Sequence, residues 1–540
     1  MTLATYGDQI LSYSYDAGAY GKTRLTRASD GAHSMTWQYD SRGRVVSKTQ
    51  TVSGVTSSVG YSYTNGRLTS LTTPSGQTIT YTYANGQVSG VAVNGTPLIS
   101  GVLYQPFGPT RGWTWGNNSA EVRLYDEDGN PSQISAIETT SYTVDNAFRV
   151  VGADHAANSN LSWSYDYDSL DRLTTATNTN AHLTWTYDAV GNRLSQGGAP
   201  GPTYSAANLT MTYNDRGRLS SVTAGSQATS YIYNAMGQRI QKNGASRTLF
   251  SYDEAGHLLG EYSSTGALIQ ETVWLEDIPI ATLRPKAGGG IDVYYVHTDY
   301  LNAPRLITRA TDNAIVWRWD RDPFGSVAPD SNPSNLRTFV YNLRLPGQYC
   351  DAETGFTYNM ARYYDGQTGR YVQSDAVGLG GGINTYSYVE NDPIRRVDSL
   401  GLTSSFGFFV HTSVAEVAAV GPYAAFQGYR DSEAAQQATY YSDLPGSWNG
   451  QADAFRHCTW SCLMSRSIGA EKAAIVGFVH ESMDDKYHHQ PLDELQMDLM
   501  NNAAGRCVAK NGKKRCVDLC MDKLKNGGLY ALGGIHMAAP

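Results

Sequence analysis

Residues 343–402 read LRLPGQYCDAETGFTYNMARYYDGQTGRYVQSDAVGLGGGINTYSYVENDPIRRVDSLGL. Aromatic pairs (Tyr363 and Tyr364, Tyr386 and Tyr388) alternate with the tight-turn signals Asp365-Gly366 and Gly380-Gly381-Gly382. Aromatic side chains suit a pleated, half-buried surface, and glycine supplies the turns, so the stretch reads as short strands joined by sharp reversals. Upstream the chain repeats one β pattern; downstream the composition changes completely.

From about Tyr13 to Tyr252 one unit recurs: an aromatic strand ending in Tyr-Asp or Tyr-Asn, a turn, then Arg-Leu or a similar pair. Copies read YDSRGRVVS at Tyr39, YTNGRLTSL at Tyr63, YDSLDRLTT at Tyr167, YDAVGNRLS at Tyr187 and YDEAGHLLG at Tyr252. Many neighbouring tyrosines lie about twenty residues apart, the period of a stacked array. The glycine takes a positive φ that other residues resist, giving one hairpin per repeat. A lone hairpin cannot bury its face, so neighbours must stack. The repeated tyrosines therefore read as structural.

Composition agrees. There are 38 tyrosines and 55 glycines against 17% charged residues. The net charge of −8 argues against a protein that coats nucleic acid. No eighteen-residue apolar run indicates an ordinary membrane span. The first residues, MTLATYGDQILSYSYDAG, lack the basic and apolar segments of a signal peptide. Cys350 stands alone before residue 403, whereas five cysteines crowd the remainder.

The recurring Tyr-Asp units resemble YD/Rhs repeats, and residues 343–402 resemble the Rhs repeat-associated core of Rhs polymorphic toxins. VYYVHTDYLNAPRLIT and VWRWDRDPFG, within residues 292–325, extend that resemblance; His297 and Asp299 there read as a buried turn. The expected fold is multidomain: an all-β YD-repeat spiral, a partial cocoon, followed by a small, mainly α domain. The expected boundaries are 1–290 for the repeats, 291–402 for the core and 403–540 for the tip. Roughly ten repeats, with no N-terminal docking segment, suggest a C-terminal piece of a longer toxin or an orphan tip with part of its shell.

Rhs cores carry two Asp-Pro-x-Gly turns and are cut just after the second, at a leucine. Here the turns are Asp375-Ala376-Val377-Gly378 and Asp398-Ser399-Leu400-Gly401, followed by Leu402. The resemblance implies self-cleavage after Leu402 by Asp375 and Asp398, because two adjacent carboxylates that share a proton supply a base and an acid. Neither turn retains its proline, and both aspartates also suit turn capping.

After Leu402 the spacing of apolar residues becomes helical in ADAFRHCTWSCLMSRSIG, AEKAAIVGFVHESM, LDELQMDLMNNAAGRCVAK and KRCVDLCMDKLKNGG, the last stopped by Gly527-Gly528. Asp453 and His457 are four apart on one face, beside Arg456. His480 and Glu481 end the next helix; Asp498, Asn501, Asn502 and Arg506 follow on another. The set resembles a bacterial toxin-tip family with the pattern DAFRH…HE…MDxxNNxxGR, which transfers no activity. His457, His480, Glu481 and Asp498 are expected to meet, ringed by Asp453, Arg456, Asn502 and Arg506. They read either as ligands of a divalent metal that activates water or as a metal-free acid–base set with an arginine steadying an anion. A helix bundle stitched by His–Asp hydrogen bonds is the bland alternative.

Cys458 and Cys462 are one helical turn apart, as are Cys516 and Cys520. The matched spacing allows two disulfides between antiparallel helices, as suits an oxidising compartment, or less readily a zinc site. Residues 403–540 carry 12 Lys and Arg against 14 Asp and Glu, which weakens a nuclease reading. The leading expectation is a contact-dependent or type VI-secreted antibacterial effector, delivered to neighbouring bacteria. Its tip would hydrolyse a phosphoester, lipid or cell-wall precursor target. A nuclease tip, a membrane-permeabilising tip built on FGFFVHTSVAEVAAVGPYAAF, and a surface adhesion protein are the alternatives. The resemblance implies a cognate immunity protein and a secretion apparatus engaged through segments missing here.

Overall fold

The computed structural model describes residues 2–402 except 106–108, 127, 198–208 and 377, then 405–406 and, further on, 431–432, 434–435, 438–439, 442, 444, 451–470, 472–477, 492–510 and 514–530. Two compact units divide the chain: residues 1–84 with 88–410, and residues 411–540 with 85–87.

The first unit is antiparallel β. Nineteen strands between Thr2 and Gly197 form one sheet, eleven between Leu209 and Arg318 a second, and four between Gln348 and Tyr371 a third. Each repeat turn follows one local rule. At Tyr39-Asp40, the Asp40 carboxylate accepts from the backbone N–H of Arg42 and Arg44 at 2.9 and 3.0 Å, and from the Arg44 side chain. Against the desolvation of partial burial, those bonds hold the carboxyl below its ordinary range. The same closure recurs at Asp145–Arg149 and Asp168–Arg172. The position before the arginine needs a positive φ: Gly43 takes +80°, and Phe148 and Asp171 accept +58° and +60° where glycine is absent.

The tyrosine before each turn joins repeats. Its hydroxyl donates to a main-chain carbonyl about fifteen residues upstream, in the preceding repeat: Tyr39 to Leu25, Tyr63 to Val45, Tyr83 to Leu68, Tyr167 to Val150, Tyr187 to Leu173 and Tyr233 to Leu219. A register shift lies beside Tyr39, Tyr63, Tyr167, Tyr187 and Tyr233, marking a bulge that turns the ring toward its acceptor. The turn arginine then lies over the next tyrosine, Arg44 on Tyr63 at 4.4 Å and Arg172 on Tyr187 at 4.9 Å. The YD pattern is thus one unit of hydrogen bond, ion pair and ring contact, repeated.

The second sheet is the more deeply buried and meets the first: Trp115 stacks on Tyr295 at 4.5 Å, and Gln50 donates to the Phe250 carbonyl at 2.9 Å. Buried Arg239 fastens the 343–402 segment to this sheet. Its guanidinium pairs with Asp351 at 2.6 Å, donates to the Tyr363 hydroxyl at 3.0 Å, and packs among Tyr231, Phe250, Tyr349 and Tyr358. His297 and Asp299 are buried, and Asp299 caps its turn through the N–H groups of Leu301 and Ala303 while pairing with Arg321.

The second unit contains helices α1 (Gln451–Ser467), α2 (Leu492–Ala509) and α3 (Cys516–Lys525). Contacts advance in step along α1 and α2, from His457–Asp498 to Arg466–Ala509, so these two run parallel. Gly505 permits the approach: a Cβ there would lie 2.2 Å from the Cys458 carbonyl oxygen. Disulfides Cys458–Cys520 and Cys462–Cys516 set α3 antiparallel to α1. Cys350 and Cys507 carry free thiols.

Candidate active sites

The first site lies where the β unit approaches Leu402. Strands Arg396–Val397 and Ser405–Phe406 pair antiparallel, so the chain reverses between them with Leu402 in the connection. Asp398 opens that turn, and one carboxylate oxygen accepts from the Leu402 N–H at 3.0 Å, the same i to i+4 closure that the repeat turns use. Gly401 adopts φ +65°, and a Cβ there would stand 2.2 Å from the Asn359 carbonyl oxygen. Only glycine fits, which fixes the path of the chain into Leu402.

What separates this turn from the repeat turns is a second carboxylate buried as deeply as the first. Arg362 Nη2 lies 3.0 Å from an Asp375 oxygen and 3.2 Å from an Asp398 oxygen, and all three side chains are buried. The same arginine donates through Nε to the Gly401 carbonyl at 2.6 Å and through Nη1 to the Thr385 carbonyl at 3.1 Å. Its guanidinium lies over the Tyr371 ring at 3.6 Å. The Tyr371 hydroxyl donates to Asp398 at 2.7 Å, and Asn359 Nδ2 donates both to that hydroxyl and to the Asp398 carbonyl. Burial, then the neighbouring Asp398, pushes the Tyr371 phenol well above its ordinary pKa, so it stays a donor.

The structure therefore brings together Asp375, Asp398 and Leu402. It adds Arg362, Tyr371 and Asn359, which the sequence reading passed over as strand residues. The available signal was an arginine inside the buried aromatic strand Arg362–Asp365, since an arginine there needs carboxylate partners.

The second site is in the helical unit. Asp453 and His457 on α1 and Asp498 on α2 are buried and offer one ligand atom each, all within 4.8 Å of one another. His457 Nε2 lies 3.3 Å from Asp498 and 3.6 Å from Asp453. Arg456 Nη2 pairs with Asp453 and stands 3.3 Å from the same ring nitrogen. A neutral Nε2 can accept from Arg456, and a protonated one can donate to Asp498, so the ring can take or give a proton without losing a partner. Two carboxylates and an imidazole also match the donor chemistry of a divalent cation.

The other expected members are placed differently. Asn502 is buried one turn beyond Asp498. Asn501 exchanges two hydrogen bonds with the Tyr530 main chain, both 2.9 Å, and so anchors the segment after α3. Arg506 lies eight residues beyond Asp498, about 12 Å along the helix, and reaches Ser461 at 3.5 Å. Helical rise thus directs Arg506 to a different turn of α1 from His457. His480 and Glu481 fall outside the described residues.

Known families match stretches in both units. Residues 58–95 match the RHS Repeat family and residues 133–269 the Teneurin YD-shell family. The β unit carries Rhs/YD repeats of the kind found in Rhs polymorphic toxins. The chain is 40% identical over 110 residues to the putative uncharacterized protein YibJ of Escherichia coli K12, covering 20% of the chain and 45% of that relative. It is 32% identical over 153 residues to double-stranded DNA deaminase toxin A of Burkholderia cenocepacia H111, covering 28% of the chain and 10% of the toxin. It thus spans less than half of the first relative and a tenth of the second. The crystal structure of TcdB2-TccC3-Cdc42 matches at a TM-score of 0.62 with 18% identity, over 73% of this chain and 25% of that one, and shares the β fold. Residues 417–528 match a domain of unknown function, DUF6973. Among the described residues no helix is long and apolar enough to cross a membrane.

Proposed function

We propose that this chain is part of a secreted antibacterial toxin. Its β unit carries, and by cutting itself after Leu402 releases, a helical hydrolase. The observation that carries the release is Arg362 holding Asp375 and Asp398 on one nitrogen while the Leu402 amide rests on Asp398. Two buried carboxylates beside one arginine nitrogen offer the pair of groups that such a cut needs, a base for water and an acid for the departing amine. The pairing of Ser405–Phe406 with Arg396–Val397 keeps the released segment attached without the peptide bond. Intact-mass measurement of the purified chain tests this: cut wild type with uncut Asp375→Asn and Asp398→Asn supports it. One uncut species in all three overturns it.

For the helical unit the reading is a hydrolase acting on a phosphoester, lipid or cell-wall precursor. His457 is the acid–base group, Asp453 and Asp498 orient it, and Arg456 steadies the developing anion. The disulfides favour a target met in an oxidising compartment. A second reading, a divalent cation held by Asp453, His457 and Asp498, rests on their mutual spacing; a bound cation would supply Lewis-acid chemistry there. A cognate immunity protein, and delivery by a secretion apparatus, follow from the toxin reading. Expression of the chain in the bacterial periplasm and cytosol, with and without His457→Ala, is the test. Growth arrest lost in a variant that keeps its helix content and melting behaviour supports hydrolysis; arrest that survives the substitution overturns it.

A further inference from the structure

Strand pairing sets Tyr142, Ala153 and Trp163 directly opposite one another on three neighbouring strands of the first sheet, so the three side chains share one face. An alanine between two large rings leaves a hollow. Tyr165, two residues beyond Trp163, lies on the same face with its ring nearly parallel to the indole at 6.4 Å. Residues from the second sheet and its flanking turns, Tyr300, Arg305 and Arg321 among them, close the hollow into a pocket of about 100 Å³. Engineered cavities of about 150 Å³ take benzene, so this pocket is sized for one small ring.

The polar groups left open in the pocket are donors. Among the described residues the Tyr142 and Tyr165 hydroxyls make no hydrogen bond, although Tyr165 is only 8% exposed. A repeat tyrosine such as Tyr167 instead gives its hydroxyl to a carbonyl. Burial pushes the Tyr165 phenol up to about 12 and raises that of Tyr142 as well, so both stay protonated. The Arg305 guanidinium faces both phenols. Its side chain keeps 30% exposure, and the Asp320 oxygen beside it stands 3.8 Å away, beyond hydrogen-bond range. The acceptors in the pocket are taken: Glu138 by Arg318 and His155, Asp320 by Arg318, and Asp299 by Arg321. Open donors, one of them a planar cation, suit a carboxylate, which accepts two parallel bonds from a guanidinium.

We propose that this pocket binds a small carboxylate carried on one ring, with Arg305 and the Tyr142 and Tyr165 hydroxyls on the carboxylate and Trp163 against the ring. The site belongs to the β unit alone and is independent of self-cleavage and of the helical unit. Aromatic acids and sugar acids share the required chemistry.

Isothermal titration of the full chain with benzoate and with benzamide tests the charge, and titration with glucuronate and with glucose separates the two sources. At least one acid should bind at least tenfold tighter than its neutral counterpart and should raise the melting midpoint of the β unit. Arg305→Gln should weaken that acid more than tenfold and Tyr165→Phe about fivefold, as loss of a charged and of a neutral hydrogen bond predicts. Ala153→Leu alters no polar group, and by filling the hollow it should abolish binding. Failure of both acids to bind the wild type overturns the proposal. So does equal binding of an acid and its neutral counterpart, or an affinity unmoved in Arg305→Gln. If Arg305→Gln melts early, Tyr165→Phe and Ala153→Leu decide, and unmoved affinity in both overturns the site.

Discussion

The two units hold themselves together by opposite strategies. The β unit spreads its stability over many small, identical devices: a tyrosine hydroxyl on a carbonyl, an aspartate closing a turn, an arginine on a ring. The helical unit concentrates its restraint in two covalent links between α1 and α3. Each hydrogen bond in the array contributes roughly 1 kcal/mol net. Each disulfide closes a loop of 54 to 62 residues, for which the chain-entropy estimate is about 4 kcal/mol. Redundancy should make the β unit tolerant of single losses, whereas the helical unit should fail abruptly.

Reduction should expose that contrast most strongly. With Cys458→Ser and Cys462→Ser, or with a reductant, α3 loses both ties to α1, and α1 carries Asp453 and His457. Hydrogen–deuterium exchange followed by peptide mass spectrometry should show peptides from 451–467 and 516–525 losing protection, while peptides from the repeats keep theirs. Retained protection in α1 and α3 after reduction would mean that packing among Phe455, Val517 and their neighbours holds the helices without the links.

How far the sequence made this visible differs between the units for a physical reason. The repeat turn is local: Asp40 bonds residues two and four ahead, so its grammar is legible in YDSRGR. The cysteine pairs were legible because their one-turn spacing matches. The junction was only half legible. Asp375 and Asp398 stand out by their turns, but Arg362, Tyr371 and Asn359 act across 12 to 39 positions, where no local pattern signals them. In the helical unit, Arg506 shares a sequence neighbourhood with Asp498, yet two helical turns send it to Ser461 instead.

One repeat turn carries a titratable group, and pH should single it out. At Asp253–His257 a histidine takes the place that arginine fills at Asp40–Arg44. Burial works against its charge, but Asp253 on Nδ1 at 3.0 Å and Asp277 on Nε2 at 2.7 Å raise its pKa to about 10. A raised folded pKa stabilises fully below the unfolded value near 6.5 and is lost as pH climbs toward 10. Denaturant unfolding of the β unit should therefore show stability declining across that window. His257→Gln should flatten the decline, and His257→Arg should move it to higher pH. An identical slope in His257→Gln would mean that the charge is not held in the folded turn.

The smallest effect tests the redundancy itself. Tyr187→Phe removes one donor to the Leu173 carbonyl and leaves the ring under Arg172. The expected loss is about 1 kcal/mol, read as a lower denaturant midpoint. In a quasi-one-dimensional array each repeat touches its neighbours, so the arrangement of losses matters as much as their number. Tyr39→Phe with Tyr187→Phe removes donors whose acceptors, Leu25 and Leu173, lie in separate repeats, and the two costs should add. Tyr167→Phe with Tyr187→Phe strikes adjacent repeats already joined through Arg172, which donates to the Asp188 carbonyl at 2.7 Å. That pair should cost more or less than its sum, because the second loss meets a repeat already loosened by the first. Strict additivity in both pairs would show that the turns act as independent clips. Coupling confined to the adjacent pair would show that the array carries its stability from repeat to repeat.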